Sequence, residues 1–213
     1  MNTTMYVDMS FPIRGRTIPR DHGYALYGAL SRVLPSVHGA DWIAIHGIAA
    51  QQADANLSLE RAGRLRIRVP SERIGEMIAL AGTSIEIAGH SVEIGAPTVH
   101  PLVPASILDA RLVVIRLTGG IPKPFDNEVF ERRFLAEAHR QLAALGATGE
   151  LVISGRQSLR VGGQRVIGCS VRVGGLSSDD SIKLQIEGIG GKRTMGCGVF
   201  RPARIKQQIR KAA

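Results

Sequence analysis

Apolar and polar residues alternate along several short stretches in the first half of the chain, and helical spacing lies between them. Residues 5–13 alternate roughly and residues 65–70 alternate strictly, so both are predicted strands. Apolar residues recur at helical spacing over 22–34, where Asp21 can cap the helix and Pro35 ends it. Further strands are predicted over 42–48 and 84–94, the latter turning as a hairpin at Ala88-Gly89, with a short helix capped by Ser71 over 72–80. This β-α-β-β-α-β order is the ferredoxin-like arrangement.

The second half of the chain repeats this order of elements. Its clearest element is an amphipathic helix over 127–145, whose apolar residues share one face and which Gly146 ends. Strands are predicted over 111–117, 150–154, 164–173 and 199–205, with a shorter helix capped by Ser177 or Ser178. The chain of 213 residues is 44% hydrophobic, which is enough for a real core. It is therefore predicted to be an α+β protein of two tandem ferredoxin-like (RRM-like) domains, residues 1–105 and 106–213.

A glycine-rich segment over 188–202 is the most informative motif in the chain. It differs from a Walker loop, because Lys192 is followed by Arg193 and not by Ser or Thr, and from a dinucleotide fingerprint, because no helix follows it. Glycines let backbone N–H groups approach a phosphate closely, and consecutive N–H groups form an anion nest. An ordinary glycine-rich hairpin is the alternative on spacing alone. The nucleic-acid interpretation predicts contacts from Gly188, Gly190, Gly191, Lys192, Arg193, Thr194, Gly196 and Gly198.

The charge of the chain favours a polyanionic partner over a neutral one. The formal net charge is +9, which is typical of proteins that bind RNA, DNA or a membrane surface. Aromatic residues make up only 4% of the chain, so RNA is expected to bind through arginine, lysine and backbone and not on an aromatic platform. Further basic sets lie on the long second-half helix and on the hairpin that follows it: Arg132, Arg133, Arg140, Arg156 and Arg160.

The sequence carries no signal for a metal site or a membrane span. Its two cysteines, Cys169 and Cys197, do not have the spacing of zinc ligands. No signal peptide and no apolar run long enough to cross a bilayer is apparent. We therefore expect a cytoplasmic protein without a membrane partner.

Several of these stretches together resemble the CRISPR repeat-processing endoribonucleases of the RAMP superfamily. The glycine loop matches their pattern at Gly188, Gly190, Gly196 and Gly198, followed by the apolar pair Val199-Phe200. The stretches 17–27, 34–38 and 64–70 are similar to the subtype first described from myxobacterial CRISPR loci. The resemblance extends over nearly the whole chain, and it is specific because all of these stretches occur jointly.

The resemblance implies an activity and a partner. Such enzymes bind the stem-loop of a CRISPR repeat in a long precursor transcript and cut once per repeat to release guide RNAs. They need no metal ion or other cofactor: the ribose 2′-OH attacks the adjacent phosphate, leaving a 2′,3′-cyclic phosphate and a 5′-OH. Subunits of a CRISPR effector complex are further partners that the family allows. Two alternatives stay open, a non-catalytic RAMP subunit that grips guide RNA and a metabolic or regulatory protein that binds a small anion in the glycine loop.

The chemistry needs a base, an acid and a cation to stabilise the developing charge. Histidine is the natural base or acid near neutral pH, and the resemblance places it in or just after the first helix. His38 and His22 fit that placement, and His38 is favoured because a loop position leaves it exposed, although the two can also act together. Some relatives also place a tyrosine beside the histidine, which makes Tyr27, three residues after Tyr24 on the same helix, a candidate; a tyrosine packed at the edge of the core is the alternative. The lysine that some relatives use is not matched in this sequence. The candidates to neutralise the developing charge in its place are Arg14, Arg16, Arg20 and Lys192.

Overall fold

The computed structural model describes residues 4–48, 50–53, 56–60, 63–121 and 124–203. It confirms the predicted fold class, because each half of the chain folds into an antiparallel sheet covered by helices around its own apolar core. The first half contains β1 (Tyr6–Arg14), β2 (Thr17–Pro19), α1 (Gly23–Val33), β3 (Ala44–Ile45), β4 (Gln51–Ala53), β5 (Asn56–Ser58), β6 (Gly63–Pro70), α2 (Ile74–Ile78), β7 (Ser84–Ile87), β8 (His90–Ile94) and β9 (Thr98–Pro101). The second half contains β10 (Leu108–Val113), α3 (Asn127–Ala144), β11 (Glu150–Val161), β12 (Gln164–Gly174), α4 (Ser178–Glu187) and β13 (Arg201–Pro202).

The two sheets share one strand order, which makes the repeat architectural. The first runs β3-β6-β1-β8-β7, with β9 pairing to β1, and the second runs β11-β12-β10-β13. The four ferredoxin-like strands are, in chain order, β1, β3, β6 and β8 in the first half and β10, β11, β12 and β13 in the second. In both sheets the first of these strands lies between the third and the fourth, and the second lies at the edge beside the third. The predicted boundary at residue 105 lies between the last strand of one sheet and the first strand of the other, and the division stays a prediction.

Alternating apolar residues place the two cores on the helix side of each sheet. In the first half Met9 and Phe11 of β1 pack with Leu26 and Leu30 of α1, and all four are almost fully buried. In the second half the apolar face of α3 is buried on its sheet through Phe130, Phe134, Ala138 and Leu142. No helix among the described residues is long and apolar enough to cross a membrane.

Helix caps follow the sequence in the second half but not in the first. The side chain of Ser177 accepts a hydrogen bond from the Asp180 N–H at 3.1 Å, as predicted for the start of α4. The prediction that Asp21 caps α1 is wrong, because the helix begins at Gly23 and the Asp21 carboxylate accepts instead from the Arg160 N–H at 2.9 Å. Ser71 also makes no capping bond, since a short 3₁₀ turn over 71–73 precedes α2.

Several predicted strands have other lengths in the structure. The strand predicted over 150–154 continues to Val161, because Gly162 and Gly163 take positive φ angles and close one long hairpin of β11 and β12. The strand predicted over 199–205 is reduced to Arg201–Pro202 within the described part of the chain, and 204–205 lie outside it. The small sheet β2-β5-β4 was not predicted, since its strands are only three residues long.

A buried arginine joins the two halves of the molecule. Arg68 is 0% exposed, and its guanidinium donates to both carboxylate oxygens of Asp8, at 2.8 and 3.1 Å. It also donates to the carbonyl oxygens of Gln185 and Phe200 in the second half, the latter at 2.9 Å. His46 Nε2 is buried 3.6 Å from the same carboxylate. This network ties the central strands of the first sheet to α4 and the chain beyond it.

Acid is expected to weaken this network in two stages. Burial lowers the pKa of His46 to about 4 from its ordinary 6.5. Between these values only the unfolded chain is protonated at this site, so the free energy of unfolding decreases as the pH is lowered from 6.5 to 4. Burial alone would raise the pKa of Asp8, but contacts with His46 and Arg68 outweigh it and hold that pKa well below its ordinary 3.8. Denaturant titrations from pH 7 to pH 3 should show a continuous loss of unfolding free energy. A His46→Gln variant should lose less between pH 6.5 and pH 4; a slope equal to that of the unmodified chain would contradict the assignment.

Candidate active site

His38 lies at the end of the short 3₁₀ turn that follows α1. Pro35 starts this turn and Val37 buries its apolar side chain, which leaves the His38 ring exposed. The Tyr27 hydroxyl accepts from the Gly39 N–H at 3.0 Å and lies 3.4 Å from His38 Nδ1. The two rings stack with centroids 5.9 Å apart and planes 18° apart. This contact orients the imidazole and leaves its Nε2 free of partners among the described residues.

An open cleft of about 590 Å³ runs along α1 in front of His38. Besides His38 and Pro35, its lining comes from one face of the helix: Tyr24, Tyr27, Gly28, Ser31 and Arg32. These five positions follow the i, i+3, i+4, i+7, i+8 spacing of a single helix face. The cleft therefore combines an exposed imidazole, two phenol hydroxyls and a guanidinium.

Arg32 is the cation that sequence reasoning missed. Its Nη2 donates to the Glu86 carbonyl oxygen at 3.2 Å, and its Nη1 lies 3.8 Å from where a Cβ on Gly28 would stand. The guanidinium thus folds back over the glycine into the cleft. The helical spacing of Arg32 from Tyr24, two turns earlier, was the signal that could have found it. Arg14 and Arg16, which the sequence proposed as the charge-stabilising cation, line a separate pocket with His90.

His22 is not in the cleft and is only 3% exposed. Its Nδ1–H donates to the Pro19 carbonyl oxygen at 2.9 Å, and its Nε2 accepts from the Ile48 N–H at 2.9 Å. Burial lowers the pKa of this imidazole. The ring therefore bridges two backbone segments as a neutral group, and its predicted catalytic part stays a prediction.

The structure explains the glycines of the loop by the backbone conformation of the loop itself, whereas the sequence analysis explained them by contact with phosphate. Gly188, Gly190, Gly196 and Gly198 all have positive φ, between 66° and 82°. Three of them also lie against backbone: a Cβ would come within 2.2–2.3 Å of a carbonyl oxygen at Gly188, Gly190 or Gly198. These glycines are required by the tight fold of the loop itself.

The amides of the loop are largely engaged within the protein. Gly190 N–H donates to the Gln141 side chain at 2.7 Å, Gly191 N–H to the Val114 carbonyl at 2.9 Å and Gly198 N–H to the Leu112 carbonyl at 2.7 Å. These three N–H groups are therefore not free to take part in the anion nest that the sequence suggested. The predicted contact of these glycines and of Thr194 with RNA stays a prediction.

The two cations of the loop point to different places. Arg193 is half-buried, and its guanidinium donates to carbonyl oxygens of Asp41 in the first half and Ile186 in the second. Burial lowers its pKa. Lys192 instead lines a cleft in the second half of the molecule. The structure thus places Arg193 between the two halves and Lys192 in the lining of a separate cleft.

The remaining predicted RNA contacts are spread over α3 and the long hairpin. Arg132 and Arg160 are exposed. Arg133 donates to the Thr118 carbonyl, and Arg140 forms a bidentate pair with Glu137 at 2.7 and 2.8 Å. Arg156 lies 4.7 Å over the Phe125 ring and donates to Asn127. The structure does not gather these arginines into one cluster with His38.

Comparison with known proteins places the chain in a family. The family model described as Cas6 CRISPR matches residues 7–205, which is most of the chain. This chain belongs to the Cas6 family. A CRISPR-associated endonuclease Cas6 from Myxococcus xanthus (strain DK1622) is 35% identical over 201 residues, 94% of this chain and 83% of the relative. The resemblance seen in the sequence is confirmed.

Solved structures share the fold of this Cas6 chain. A CRISPR associated protein Cas6 superposes with a TM-score of 0.62 at 14% identity, covering 94% of this chain and 99% of that one. A CRISPR endoribonuclease Cse3 bound to a 19-nucleotide RNA superposes with a TM-score of 0.51 at 12% identity, covering 94% and 100%. At these identities the likeness supports the two-domain ferredoxin-like architecture.

Proposed function

We propose that this Cas6 chain is an endoribonuclease that cuts CRISPR precursor RNA within each repeat to give guide RNAs. The observation that carries the proposal is the cleft along α1, in which the exposed His38 imidazole, the Tyr27 hydroxyl and the Arg32 guanidinium meet. Histidine can move a proton near neutral pH, and a guanidinium stabilises negative charge without being deprotonated. Family membership supports the same activity.

The proposed reaction is an internal transesterification that needs no metal ion. His38 Nε2 takes the proton of the ribose 2′-OH, the 2′-oxygen forms a bond to phosphorus, and the bond from phosphorus to the 5′-oxygen breaks. The 5′-oxygen takes a proton from solvent, which reaches this open cleft. When His38 Nδ1–H donates to the Tyr27 hydroxyl, Nε2 carries the lone pair that this step requires. The products are a 2′,3′-cyclic phosphate and a 5′-OH.

In this proposal His22 has a structural role next to the site. By holding the Pro19 carbonyl and the Ile48 N–H, it fixes the segment from which α1 starts. A buried ring with both nitrogens engaged has no free atom to offer a ribose hydroxyl, so we assign the proton transfer to His38 alone.

RNA is proposed to lie across the basic surface of the second half. Arg132 and Arg160 are exposed, and Lys192 lines its own cleft. Double-stranded RNA is recognised mainly by shape and phosphate, and such binding weakens steeply with salt. Contact with effector-complex subunits and a cytoplasmic location stay predictions.

The test is incubation of the purified protein with repeat RNA in excess EDTA. Cleavage at one position per repeat is expected, with a cyclic phosphate on the upstream product, which acid converts to a monophosphate. RNA binding without any cut would favour the non-catalytic RAMP subunit. Absence of submicromolar RNA binding at low salt would favour the small-anion alternative.

Replacing Arg32 by Ala is expected to slow cleavage about 10²–10³-fold, the loss typical when one charge-stabilising donor is removed. Arg32→Lys should recover part of the rate, since it keeps the charge but not the forked geometry. The measurement is the single-turnover rate constant at saturating RNA, and added guanidinium ion should partly restore Arg32→Ala.

Arg73→Ala is the matched control, because Arg73 carries the same charge nearby but packs over Trp42 and pairs with Glu76. It should cut at the normal rate. Equal rates for Arg32→Ala and Arg73→Ala would remove Arg32 from the proposed chemistry while leaving His38 in place.

A further inference from the structure

A second cleft, of about 680 Å³, lies in the second half of the molecule. It is lined by residues 114–121, which follow β10, by residues 165–167 of β12 and by Lys192 of the glycine loop. We call it the Lys192 cleft. Its lining shares no residue with the cleft along α1 that holds His38. Its volume falls within the range usual for sites that bind small ligands or single nucleotides.

The charge in the Lys192 cleft is uncompensated. Arg116, Arg165 and Lys192 line it, and its lining includes no Asp or Glu. None of the three forms an ion pair with a described carboxylate. By contrast, Arg140 pairs with Glu137 and Arg172 pairs with Asp109. Arg165 also faces Arg160 directly across the hairpin, where like charges destabilise the strand pair. Three cations without a counter-charge around one cavity indicate an anionic ligand.

The floor of the same cleft is apolar. Its lining includes Val114 and Leu117, which are buried in the two apolar clusters of the second half, the half-buried Val166 and Ile167, and Ile121, a large apolar side chain left 41% exposed. A bare phosphate would gain nothing from such a floor. A group that joins a flat apolar body to a phosphate would use both parts of the cleft, and a nucleotide is such a group.

The backbone at Lys192 is held in a costly conformation. Its φ is 65°, in the left-handed region, where a residue other than glycine is strained by about 1–2 kcal/mol. The loop enforces this: the Lys192 carbonyl accepts from the N–H groups of Met195, at 2.9 Å, and Cys197, at 3.2 Å. Glycine occupies the other positions of this loop that have positive φ, yet this strained position carries a lysine. Strain kept at a residue whose side chain lines a cleft points to function at that side chain.

We infer that the Lys192 cleft binds one unpaired nucleotide of the RNA, with the phosphate at Lys192, Arg116 and Arg165 and the base on the apolar floor. The inference rests on the proposed function for the identity of the polymer. A paired nucleotide keeps its base inside the helix and cannot reach such a floor, so the ligand comes from single-stranded RNA next to a stem. The cleft would thus hold a flank of the substrate while the cut is made elsewhere.

The test is a Lys192→Gly variant of the full chain, with a fluorescein-labelled, unstructured hexaribonucleotide and a hexamer of the same length without bases as probes. The variant should bind the hexaribonucleotide about tenfold more weakly, the size of one charge-assisted contact. Its unfolding midpoint should be equal or higher, because glycine adopts this φ without strain. The unmodified protein should bind the hexamer without bases at least tenfold more weakly than the hexaribonucleotide.

Two controls separate charge, backbone and chemistry. Ala88→Gly relieves the other positive φ outside glycine and should not change RNA affinity. Lys183→Ala removes one charge from α4, where Lys183 pairs with Asp180, and should also leave affinity unchanged. Equal hexaribonucleotide affinity in Lys192→Gly and the unmodified protein would overturn the site, and equal affinity for the two hexamers would overturn the part assigned to the base.

Cleavage of repeat RNA separates this inference from the proposed function. Lys192→Gly should need about tenfold more repeat RNA to reach half of its maximal cleavage rate, in step with its loss of affinity. A protein that cuts no repeat but binds the hexaribonucleotide through Lys192 would keep the cleft and lose the enzyme. A large loss of the saturating rate in Lys192→Gly would instead place Lys192 in the chemistry and overturn its assignment to a separate site.

Discussion

Replacing His38 by Ala is expected to reduce the cleavage rate about 10²–10⁴-fold, the usual contribution of one positioned proton-transfer group. The contacts that the described residues give this exposed ring are its stacking on Tyr27 and the 3.4 Å approach of its Nδ1 to the Tyr27 hydroxyl, so stability should change little. RNA affinity should also persist, because the basic surface of the second half is untouched. The rate is measured under single-turnover conditions with saturating repeat RNA, and affinity by a binding titration.

The control for this variant is His100→Ala. His100 is also exposed, but it lies on β9, bonded to Thr98, and it is not part of the cleft along α1. It should cut normally. A His38→Ala protein with an undiminished rate, combined with a His22→Ala protein that is folded and inactive, would transfer the proton chemistry to His22.

Replacing Arg68 by Ala is expected to cost about 3–5 kcal/mol of unfolding free energy, the loss seen when one partner of a buried ion pair is removed. The change leaves the Asp8 carboxylate without its bidentate donor and removes the only described side-chain donor to the Phe200 carbonyl. Denaturant unfolding measures the loss directly. Because the network joins both halves, the variant should also unfold in two steps where the unmodified chain unfolds in one.

Arg172→Ala is a matched control on the same chain. Arg172 pairs with Asp109 in the same bidentate geometry, at 2.7 and 2.9 Å, but at an exposed position. An exposed pair of this kind contributes about 0.2–1 kcal/mol. Equal losses for the two variants would mean that burial of Arg68 between the halves does not set its contribution.

The fold followed from local pattern with few errors. Alternation and helical spacing predicted most elements of both sheets, because each strand or helix must bury one face and short-range periodicity reflects that requirement. They did not predict β9, and the strand predicted over 111–117 spans Leu108–Val113. The hairpin turn at Ala88-Gly89 and the cap at Ser177 were predicted for the same local reason, and both are present. The error at the start of α1 falls where a distant contact decides, because Asp21 bonds to Arg160 across the molecule. The length of β11 was missed for another reason: the Gly162-Gly163 turn that closes its hairpin was not predicted.

The candidate site divides in a similar way. Sequence was enough to place the chain in its family, because motif and spacing carry that information. It also proposed His38, His22 and Tyr27 for the chemistry and Lys192 for RNA, and these assignments stay predictions. Tertiary structure decided that Arg32 shares the cleft with His38 and that His22 is buried with both nitrogens engaged. It also decided that Arg193 bonds to the Asp41 carbonyl while its neighbour Lys192 lines a different cleft. Direction and burial of a side chain depend on which remote backbone lies beside it, and no local pattern in the chain records that neighbour.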